Sequence, residues 1–223
     1  MRVTERPDQS RFVSRSAWAR GGKRAFDVVV SAGVILLVSP VLVLAALAVK
    51  LTSPGPLLFR QERTGWNGVP FYPPKFRTMR ADHKHDIKEI VPLGHSAITP
   101  VGRWLRRLKV DELPQLFCVL GGQMSLVGPR PTIPEQTRAY SDYAWRRLLV
   151  RPGISGLAQV NSAATRSWEE RIHYDVYYVA HHDLFMDLAI LVKTVPVVLL
   201  GEERFARPFA ESPYGKCRMT NDE

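Results

Sequence analysis

The sequence predicts a mostly helical α/β protein, held in a membrane by one kinked helix and carrying interfacial helices and a small β-hairpin or sheet. Three observations support this class. Residues 28–49 form one uncharged apolar segment, short strand-like segments flank an Asn-Gly corner, and amphipathic helical patterns fill the C-terminal half. Since a proline interrupts the apolar segment, we expect a monotopic membrane protein, whose helix enters and leaves the same leaflet.

The apolar segment runs from Val28 to Val49 and is rich in Val, Leu and Ala. As a helix it would be about 33 Å long at about 1.5 Å per residue, close to the roughly 30 Å hydrocarbon core of a bilayer. Length and hydropathy alone therefore predict a plain transmembrane span.

Two further features favour a re-entrant helix over residues 23–51. Pro40 lacks an N–H and its ring clashes with the carbonyl of Leu36, so the helix must bend, while the Ser39 hydroxyl can satisfy the freed carbonyl. Lys and Arg residues are also abundant on both sides of the segment. Because positive residues favour the cytoplasmic side, both flanks are expected on the same side, with the kink at Ser39 and Pro40.

The net charge is +10, which favours anionic partners such as nucleic acid, acidic lipid or phosphorylated substrates. A membrane segment beside this charge favours lipid headgroups and phosphates over nucleic acid. Cys118 and Cys217 match neither a metal-binding spacing nor a disulfide framework, which is compatible with a reducing cytoplasm.

The remaining chain divides at breaks in composition. Residues 1–22 are predicted to be a mobile basic arm, 52–200 a cytosolic or interfacial domain, and 201–223 a loosely ordered tail. Helices are predicted over 101–110, 135–150, 168–180 and 184–200. The last contains Asp187, Lys193 and Pro196, which are costly in lipid, so we expect an interfacial or packing helix rather than a second span.

An adjacent carboxylate pair, Asp111-Glu112, lies among cations and helix breakers. One interpretation is structural, with Asp111 as the N-cap of a helix. The other is chemical: neighbouring side chains point about 100° apart, so one carboxylate can act as nucleophile while the other binds metal or handles a proton. Beside Arg106 and Arg107 at a helix N-terminus, Asp111 is expected to stay ionised.

Several cations are placed to bind phosphate. Arg130 stands between two prolines and Arg151 precedes Pro152-Gly153, and rigid guanidinium groups suit phosphate oxygens, although surface arginines in proline loops would look the same. Lys75 and Arg77 extend this set to a predicted anion site. With a diphosphate bound, the carboxylates would recruit Mg²⁺. His83, His85 and His95 are interpreted as part of a solvated segment.

On these residues the chain resembles the bacterial sugar transferase family, small monotopic phosphoglycosyl transferases related to undecaprenyl-phosphate sugar phosphotransferases. The resemblance covers about residues 23–200, with the motifs in order. The motifs are Lys23–Asp27, Ser39-Pro40, Ser53–Pro56, Arg60–Arg63, Lys75–Met79, Asp111–Leu116, Met124–Pro131, Val150–Asn161, Ser167–Glu170 and Asp175–Val179.

The resemblance implies a reaction in which a UDP-sugar and a polyprenol phosphate give a polyprenyl-diphosphate sugar and UMP, the first membrane step of surface glycan assembly. It implies that Asp111 forms a covalent phosphosugar intermediate and that Glu112 positions Mg²⁺ or handles a proton. The remaining implied substrate contacts are Lys75, Arg77, Arg106, Arg130, Arg151 and Gln159.

The resemblance also implies a place and partners. These are the cytoplasmic face of the bacterial inner membrane, with membrane lipid, a UDP-sugar, polyprenol phosphate and a possible homodimer, but no nucleic acid. Departures from the family pattern are Pro73-Pro74, residues 93–97, and Ser162-Ala163 where Gly-Arg is common; they affect the expected sugar pocket.

Two other functions are compatible with the residues. One is a non-enzymatic, membrane-tethered basic module that binds acidic lipid or nucleic acid, although no groove-reading motif supports nucleic acid. The other is a direct-displacement transferase anchored by a true span. Isotope exchange between UMP and the UDP-sugar separates the covalent route from direct displacement.

Overall fold

The computed structural model describes residues 10–80, 94–162 and 167–215. Within these ranges the protein is mostly helical with small sheets, as predicted. The helices are α1 Lys23–Thr52, α2 Pro100–Arg107, α3 Leu116–Leu120, α4 Pro134–Arg138, α5 Asp142–Trp145, α6 Leu157–Asn161, α7 Trp168–His181 and α8 Leu184–Leu200. The strands are β1 Leu58–Arg60, β2 Arg63–Thr64, β3 Pro70–Phe71, β4 Pro74–Phe76, β5 Ser125–Val127 and β6 Gly153–Ser155.

The apolar segment forms helix α1, which continues through Pro40 as one helical element. The Ser39 hydroxyl donates a hydrogen bond of 2.8 Å to the Leu36 carbonyl, the group that loses its partner to the proline. This contact is the one predicted from the sequence. Among the described residues, the helical segment Trp18–Thr52 is long and apolar enough to cross a membrane by length and composition.

Both halves of α1 contact the same folded domain. Near its start, Arg24 donates to the Leu120 carbonyl at 2.8 Å, and buried Asp27 accepts from the Leu126 amide at 3.1 Å. Near its end, buried Ala45 and Val49 pack in a hydrophobic cluster with residues of β4 and α2. The domain therefore packs on both halves of the helix.

Three two-stranded sheets support the domain. Strands β1 and β4 are antiparallel, β2 and β3 form an antiparallel hairpin, and β5 and β6 are parallel. At the corner of the hairpin, Asn67 and Gly68 have φ values of 53° and 78°. The Asn-Gly corner was predicted because these two residue types tolerate the left-handed conformation.

The aromatic face of α7 lies in the centre of the core. Tyr174 and Tyr178 are almost fully buried and pack with Met124, Val127 and Leu157. Helices α7 and α8 match their predicted ranges closely, because each has a continuous apolar pattern at helical spacing.

The arm and the tail differ from their predictions wherever the structure describes them. The Ser14 amide donates to the Val179 carbonyl at 2.9 Å, and the Trp18 indole donates to Asp187 at 2.8 Å, so this part of the arm is packed against α7 and α8. In the tail, Phe209 is buried in the main core and the Arg207 carbonyl accepts from Tyr174. Aromatic side chains dock both segments.

The single helix predicted over 135–150 is also wrong. The chain forms α4, then α5, then a 3-10 turn at Arg146–Leu148. Ser141 caps the start of α5 by accepting from the Ala144 amide, so a new helix begins where the pattern suggested continuity. His83 and His85 lie outside the described residues.

Candidate active site

The carboxylate pair lies on a short 3-10 helix, Val110–Gln115, which packs against β4. The preceding residue, Lys109, has left-handed backbone geometry with φ of 55° and occupies the N-cap position, where no side chain caps the helix. The structural interpretation of Asp111 as an N-cap is therefore wrong. The sharp entry through Lys109 and the proline at position 114 present the pair on a tight turn.

Glu112 is held by two cations. Lys75 Nζ lies 2.5 Å from Glu112 Oε1, while Arg130 donates through Nη2 to Oε1 at 2.8 Å and through Nη1 to Oε2 at 3.4 Å. Burial alone would raise the pKa of Glu112, but Arg130 and Lys75 together hold this pKa well below its usual range. Both oxygens of this ionised carboxylate are engaged.

Asp111 has the opposite environment. Its side chain is 8% exposed, and its Oδ1 is buried with no hydrogen-bond partner among the described residues. Burial, followed by the neighbouring Glu112 charge, raises the pKa of Asp111 against the opposing effects of Lys75, Lys109 and Arg106. The sequence argument anticipated only the stabilising effect of neighbouring arginines and missed the burial. The two adjacent carboxyls thus have pKa values pushed in opposite directions.

The pair opens into a cavity of about 1360 Å³. The structure brings Lys75, Arg77, Arg106, Arg130 and Gln159 to its lining, together with both carboxylates. Further cations line it as well: Arg60, Arg63, Arg80, Arg107, Lys109, Arg147 and Arg171. The predicted multi-pronged anion site thus has a physical counterpart in one cavity, while substrate binding by each residue stays a prediction.

Arg151 is not brought to this cavity. Its Nε donates to the Gly122 carbonyl at 2.8 Å, and its guanidinium lies 4.7 Å from the ring centre of Trp66. The structure therefore does not group Arg151 with the other cations of the predicted anion site. Its loop turns the side chain toward α3, a direction that proline and glycine spacing does not reveal.

Arg77 lines the cavity but is also anchored. It is 6% exposed, and Nη2 donates to both the carbonyl and the hydroxyl of Ser53, at 2.7 and 2.8 Å. Since Ser53 directly follows α1, this side chain links the end of α1 to the segment that carries Lys75. One residue separates Arg77 from Lys75, so the bonded end of α1 lies close along the chain to a residue of the candidate site.

The backbone of Arg130 is fixed by a buried network. Arg147 donates through Nη2 to the Arg130 carbonyl at 3.0 Å and through Nε to Asp175 Oδ2 at 3.0 Å. Arg147 and Asp175 side chains are each 2% exposed, and Tyr140 accepts a further bond from Arg147. Arg130, which hydrogen-bonds Glu112, is thus itself held in place through its backbone carbonyl.

The site also contains a cation that the sequence argument did not select. Arg63 lines the cavity, donates to Gln61 Oε1 at 2.6 Å, and has its pKa lowered to about 10 by burial and then by Arg130. It belongs to the Arg60–Arg63 motif quoted for the family resemblance, so that motif was the available signal. Only the structure shows that Arg63 lies close enough to Arg130 for the charge of Arg130 to lower its pKa.

Asp111 and Glu112 are the candidate ligands for magnesium. Among the described residues no three His, Cys, Asp or Glu side chains cluster as a metal site. Mg²⁺ commonly binds one or two protein carboxylates and completes its shell with substrate phosphates and water, so the pair is chemically suitable. The unpartnered Asp111 Oδ1 is free to coordinate, whereas Glu112 would have to release Lys75 or Arg130.

The comparisons with known proteins show the family of the chain. The family model described as bacterial sugar transferase matches residues 18–201. A UDP-glucose:undecaprenyl-phosphate glucose-1-phosphate transferase of Caulobacter vibrioides is 44% identical over 192 residues, covering 82% of this chain and 72% of the relative. An uncharacterized sugar transferase of Bacillus subtilis, EpsL, is 39% identical over 180 residues, covering 81% of this chain and 88% of the relative.

A third relative carries a different sugar in its name. It is the UDP-N-acetylgalactosamine-undecaprenyl-phosphate N-acetylgalactosaminephosphotransferase of Aeromonas hydrophila, 37% identical over 185 residues, covering 80% of this chain and 44% of the relative. The chain belongs to the bacterial sugar transferase family. It is an enzyme of the sugar-phosphate transferase class, which confirms the predicted family and the predicted enzymatic character.

Proposed function

We propose that the protein transfers a phosphosugar from a UDP-sugar to a polyprenol phosphate, giving a polyprenyl-diphosphate sugar and UMP. The names of two relatives support this pair of substrates, since the transferases of Caulobacter vibrioides and Aeromonas hydrophila are each named for a UDP-sugar and undecaprenyl phosphate. The observation that carries the proposal is the unequal carboxylate pair at the mouth of a cationic cavity.

We assign the nucleophile to Asp111. Its Oδ1 has no partner among the described residues, whereas both oxygens of Glu112 are engaged by Arg130 and Lys75. A carboxylate that must attack phosphorus needs an oxygen that no cation already occupies. The raised pKa of Asp111 also goes with a more basic, hence more nucleophilic, carboxylate once it is ionised.

The proposed reaction has two displacements at phosphorus. An oxygen of Asp111 bonds to the β-phosphorus of the UDP-sugar, and the bond from this phosphorus to the bridging oxygen breaks, releasing UMP. An oxygen of the lipid phosphate then bonds to the same phosphorus, and the bond to Asp111 breaks. Lys75, Arg106 and Arg130 would neutralise the phosphoryl oxygens in both steps, because phosphoryl transfer depends on positioning and charge stabilisation.

We propose Mg²⁺ as the cofactor, held by Glu112 and one oxygen of Asp111 together with substrate phosphate oxygens, so that the other Asp111 oxygen stays available for attack. When bound it would supply further neutralisation of the diphosphate charge. The protein's own contribution is to keep Glu112 ionised through Arg130 and Lys75, and so preserve negative charge at this position.

We further propose that α1 is re-entrant and that the site faces the cytoplasm at the inner membrane. The packing of one domain on both halves of α1 supports a helix whose ends lie on the same side. The apolar outer surface of α1, with Leu36, Leu37 and Leu51 each at least 75% exposed, supports contact with lipid.

The test is exchange of labelled UMP into the UDP-sugar in the absence of lipid acceptor. The covalent route predicts exchange in the native enzyme and none in Asp111→Asn, with Asp142→Asn, an exposed carboxylate outside the cavity, as the matched control. A trapped phosphosugar on Asp111, measured by intact mass, would corroborate the intermediate. Turnover with lipid acceptor but no exchange would instead identify direct displacement, and full turnover of Asp111→Asn would overturn the nucleophile.

A further inference from the structure

Besides Asp111 Oδ1 and two nitrogens of Arg77, two buried polar atoms near α6 on the cavity wall have no partner among the described residues: Gln159 Oε1 and Ser162 Oγ. Ser162 is only 3% exposed and follows the last residue of α6. Gln159 already donates through Nε2 to the Ile154 carbonyl at 2.8 Å, which fixes the amide and leaves its oxygen as an unfilled acceptor. Both residues line the same cavity, one within α6 and the other directly after it.

The surrounding wall is neutral. Ser155 and Thr194 also line the cavity, their hydroxyls 2.5 Å apart, and Ala158 and Val160 add small apolar surface. The lining residues between positions 154 and 162 include no charged side chain. This α6 wall, defined as the lining residues Ile154, Ser155, Ala158, Gln159, Val160, Ser162 and Thr194, contrasts with the cationic lining around the carboxylate pair.

The charged and the neutral parts of the lining match the two kinds of chemical group in the donor substrate. A nucleotide sugar joins an anionic diphosphate to neutral groups rich in hydroxyls, and buried polar groups without partners are costly unless a ligand satisfies them. Phosphates belong on the cationic side, beside Lys75, Arg106 and Arg130. The unfilled acceptor of Gln159 and the unfilled hydroxyl of Ser162 can be satisfied by the hydroxyl or amide groups of a sugar.

We infer that the α6 wall binds the sugar of the UDP-sugar, with Ser162 and Gln159 hydrogen-bonding its hydroxyl or amide groups and so selecting among sugars. This inference rests on the proposed function. The sugar stays on the enzyme through both displacements whereas UMP leaves after the first, so a rigid buried wall suits the retained group.

The names of the relatives are consistent with the choice of sugar over nucleoside. The two named transferases differ in sugar, glucose or N-acetylgalactosamine, but share the UDP and undecaprenyl phosphate of their names. The sugar is thus the part of the substrate that varies between them.

The test combines binding and turnover over a panel of UDP-glucose, UDP-galactose, UDP-N-acetylglucosamine and UDP-N-acetylgalactosamine. Purified full-length native enzyme, Ser162→Ala, Ser162→Gly and Gln159→Ala are titrated calorimetrically with each UDP-sugar and with UMP, and UMP release with lipid phosphate is measured in parallel. Ser141→Ala, which removes a hydroxyl outside the cavity, is the control.

We expect the three cavity variants to lower the affinity ratio between the best and the second-best sugar about tenfold, since discrimination depends on hydrogen bonds that only the right sugar completes. UMP affinity should not change. An equal loss for all sugars together with weaker UMP binding would assign the wall to the nucleoside, and an unchanged ratio would remove any role in selection; both outcomes overturn the inference. Selective binding without UMP release would contradict the proposed reaction while supporting the sugar wall.

Discussion

At the scale of single residues, the candidate site contains two neighbouring carboxylates that share a turn but differ in their environment. Glu112 has Arg130 and Lys75 as direct partners, and its pKa falls well below the usual range despite its burial. Asp111, one residue earlier, is buried without a partner for Oδ1, and its pKa rises. A free oxygen on Asp111 is useful for attack but costs stability, as functional sites often do.

This cost gives the first prediction, for Asp111→Asn. UMP release should fall at least about a thousandfold, as expected when a nucleophile is removed. The midpoint of thermal unfolding at neutral pH should stay equal to that of the native enzyme or rise, because the variant no longer buries a charged carboxylate next to Glu112.

The sign of the pH dependence follows from linkage. Folding raises the pKa of Asp111, so between the unfolded and folded pKa values the folded state binds more protons, and ionisation of Asp111 destabilises the fold as the pH rises. The stability advantage of Asp111→Asn should thus be present at neutral pH and disappear as the pH falls through the raised pKa. Thermal melts of both proteins across the acid range measure this difference; an advantage that grows toward low pH would contradict it.

At the scale of elements, three segments meet behind Arg130. The 3-10 turn Arg146–Leu148 supplies Arg147, α7 supplies Asp175, and the loop after β5 supplies the Arg130 carbonyl. Arg147 therefore acts as a positioning residue, since it reaches Glu112 only through Arg130. Because lysine cannot reproduce the planar fork of arginine, Arg147→Lys keeps the charge but loses the geometry.

The second prediction concerns coupling between Arg147 and Arg130. Arg147→Lys should reduce the UMP-release rate about tenfold and lower stability by about 1–3 kcal/mol, because buried acceptors lose a donor. In an Arg130→Ala background the same change should lower stability as before but leave the residual rate unaffected. Rates and denaturant melts of the double-mutant cycle separate the two effects.

Arg138→Lys, an exposed substitution on α4, serves as the control and should change neither quantity. Additive losses of rate in the double variant would mean that Arg147 acts independently of Arg130. If Arg147 had only a structural role, its effect on the rate would likewise be the same with and without Arg130, whatever its effect on stability.

The elements also differ in how well the sequence predicts them. Helices α7 and α8 and the Asn67-Gly68 corner follow from local periodicity and turn chemistry, which act within a few residues. The break at Ser141 depends on which of two competing signals dominates, the cap or the continuing apolar pattern. The direction of Arg151 depends on Trp66, which lies 85 positions earlier in the sequence, and such contacts leave no local pattern.

The candidate site shows the same limit. The sequence predicted that Lys75 and Arg130 would lie near the carboxylate pair. That both of them bond Glu112 rather than Asp111 depends on how β4 and the loop after β5 pack together. The raised pKa of Asp111 reflects burial, which composition does not encode. The sequence therefore predicts a carboxylate pair among cations, whereas the different environments of the two carboxylates depend on tertiary packing.

At the scale of the whole molecule, apolar surface and charge are separated. On α8, Phe185, Val192 and Leu199 are each at least 69% exposed, whereas Asp187 is fully buried and Lys193 donates to Asn161 at 2.5 Å. Charged groups of this helix thus turn inward and apolar groups outward, the reverse of a helix surrounded by water. This surface and that of α1 favour lipid contact at the membrane interface.

The third prediction concerns the topology of α1, which is about 45 Å long at about 1.5 Å per residue. Arg24 and Asp27 bond the domain near one end, and Ser53 bonds Arg77 of the same domain at the other. If α1 crossed the bilayer, one of these polar contacts would have to form on the far side from the domain. Single cysteines at positions 20 and 52, both exposed, should therefore react with an impermeant maleimide from the same side.

The experiment requires a background in which Cys118 and Cys217 are replaced, with labelling compared between right-side-out and inside-out membrane vesicles. A cysteine at Val41, beside the proline, serves as the matched control and should resist the reagent in both, because it would lie within the lipid. Labelling of both end positions only in inside-out vesicles fits a re-entrant helix on the cytoplasmic face. Accessibility of positions 20 and 52 from opposite sides would require a span, and the contacts at one end of α1 would then have to break in the membrane.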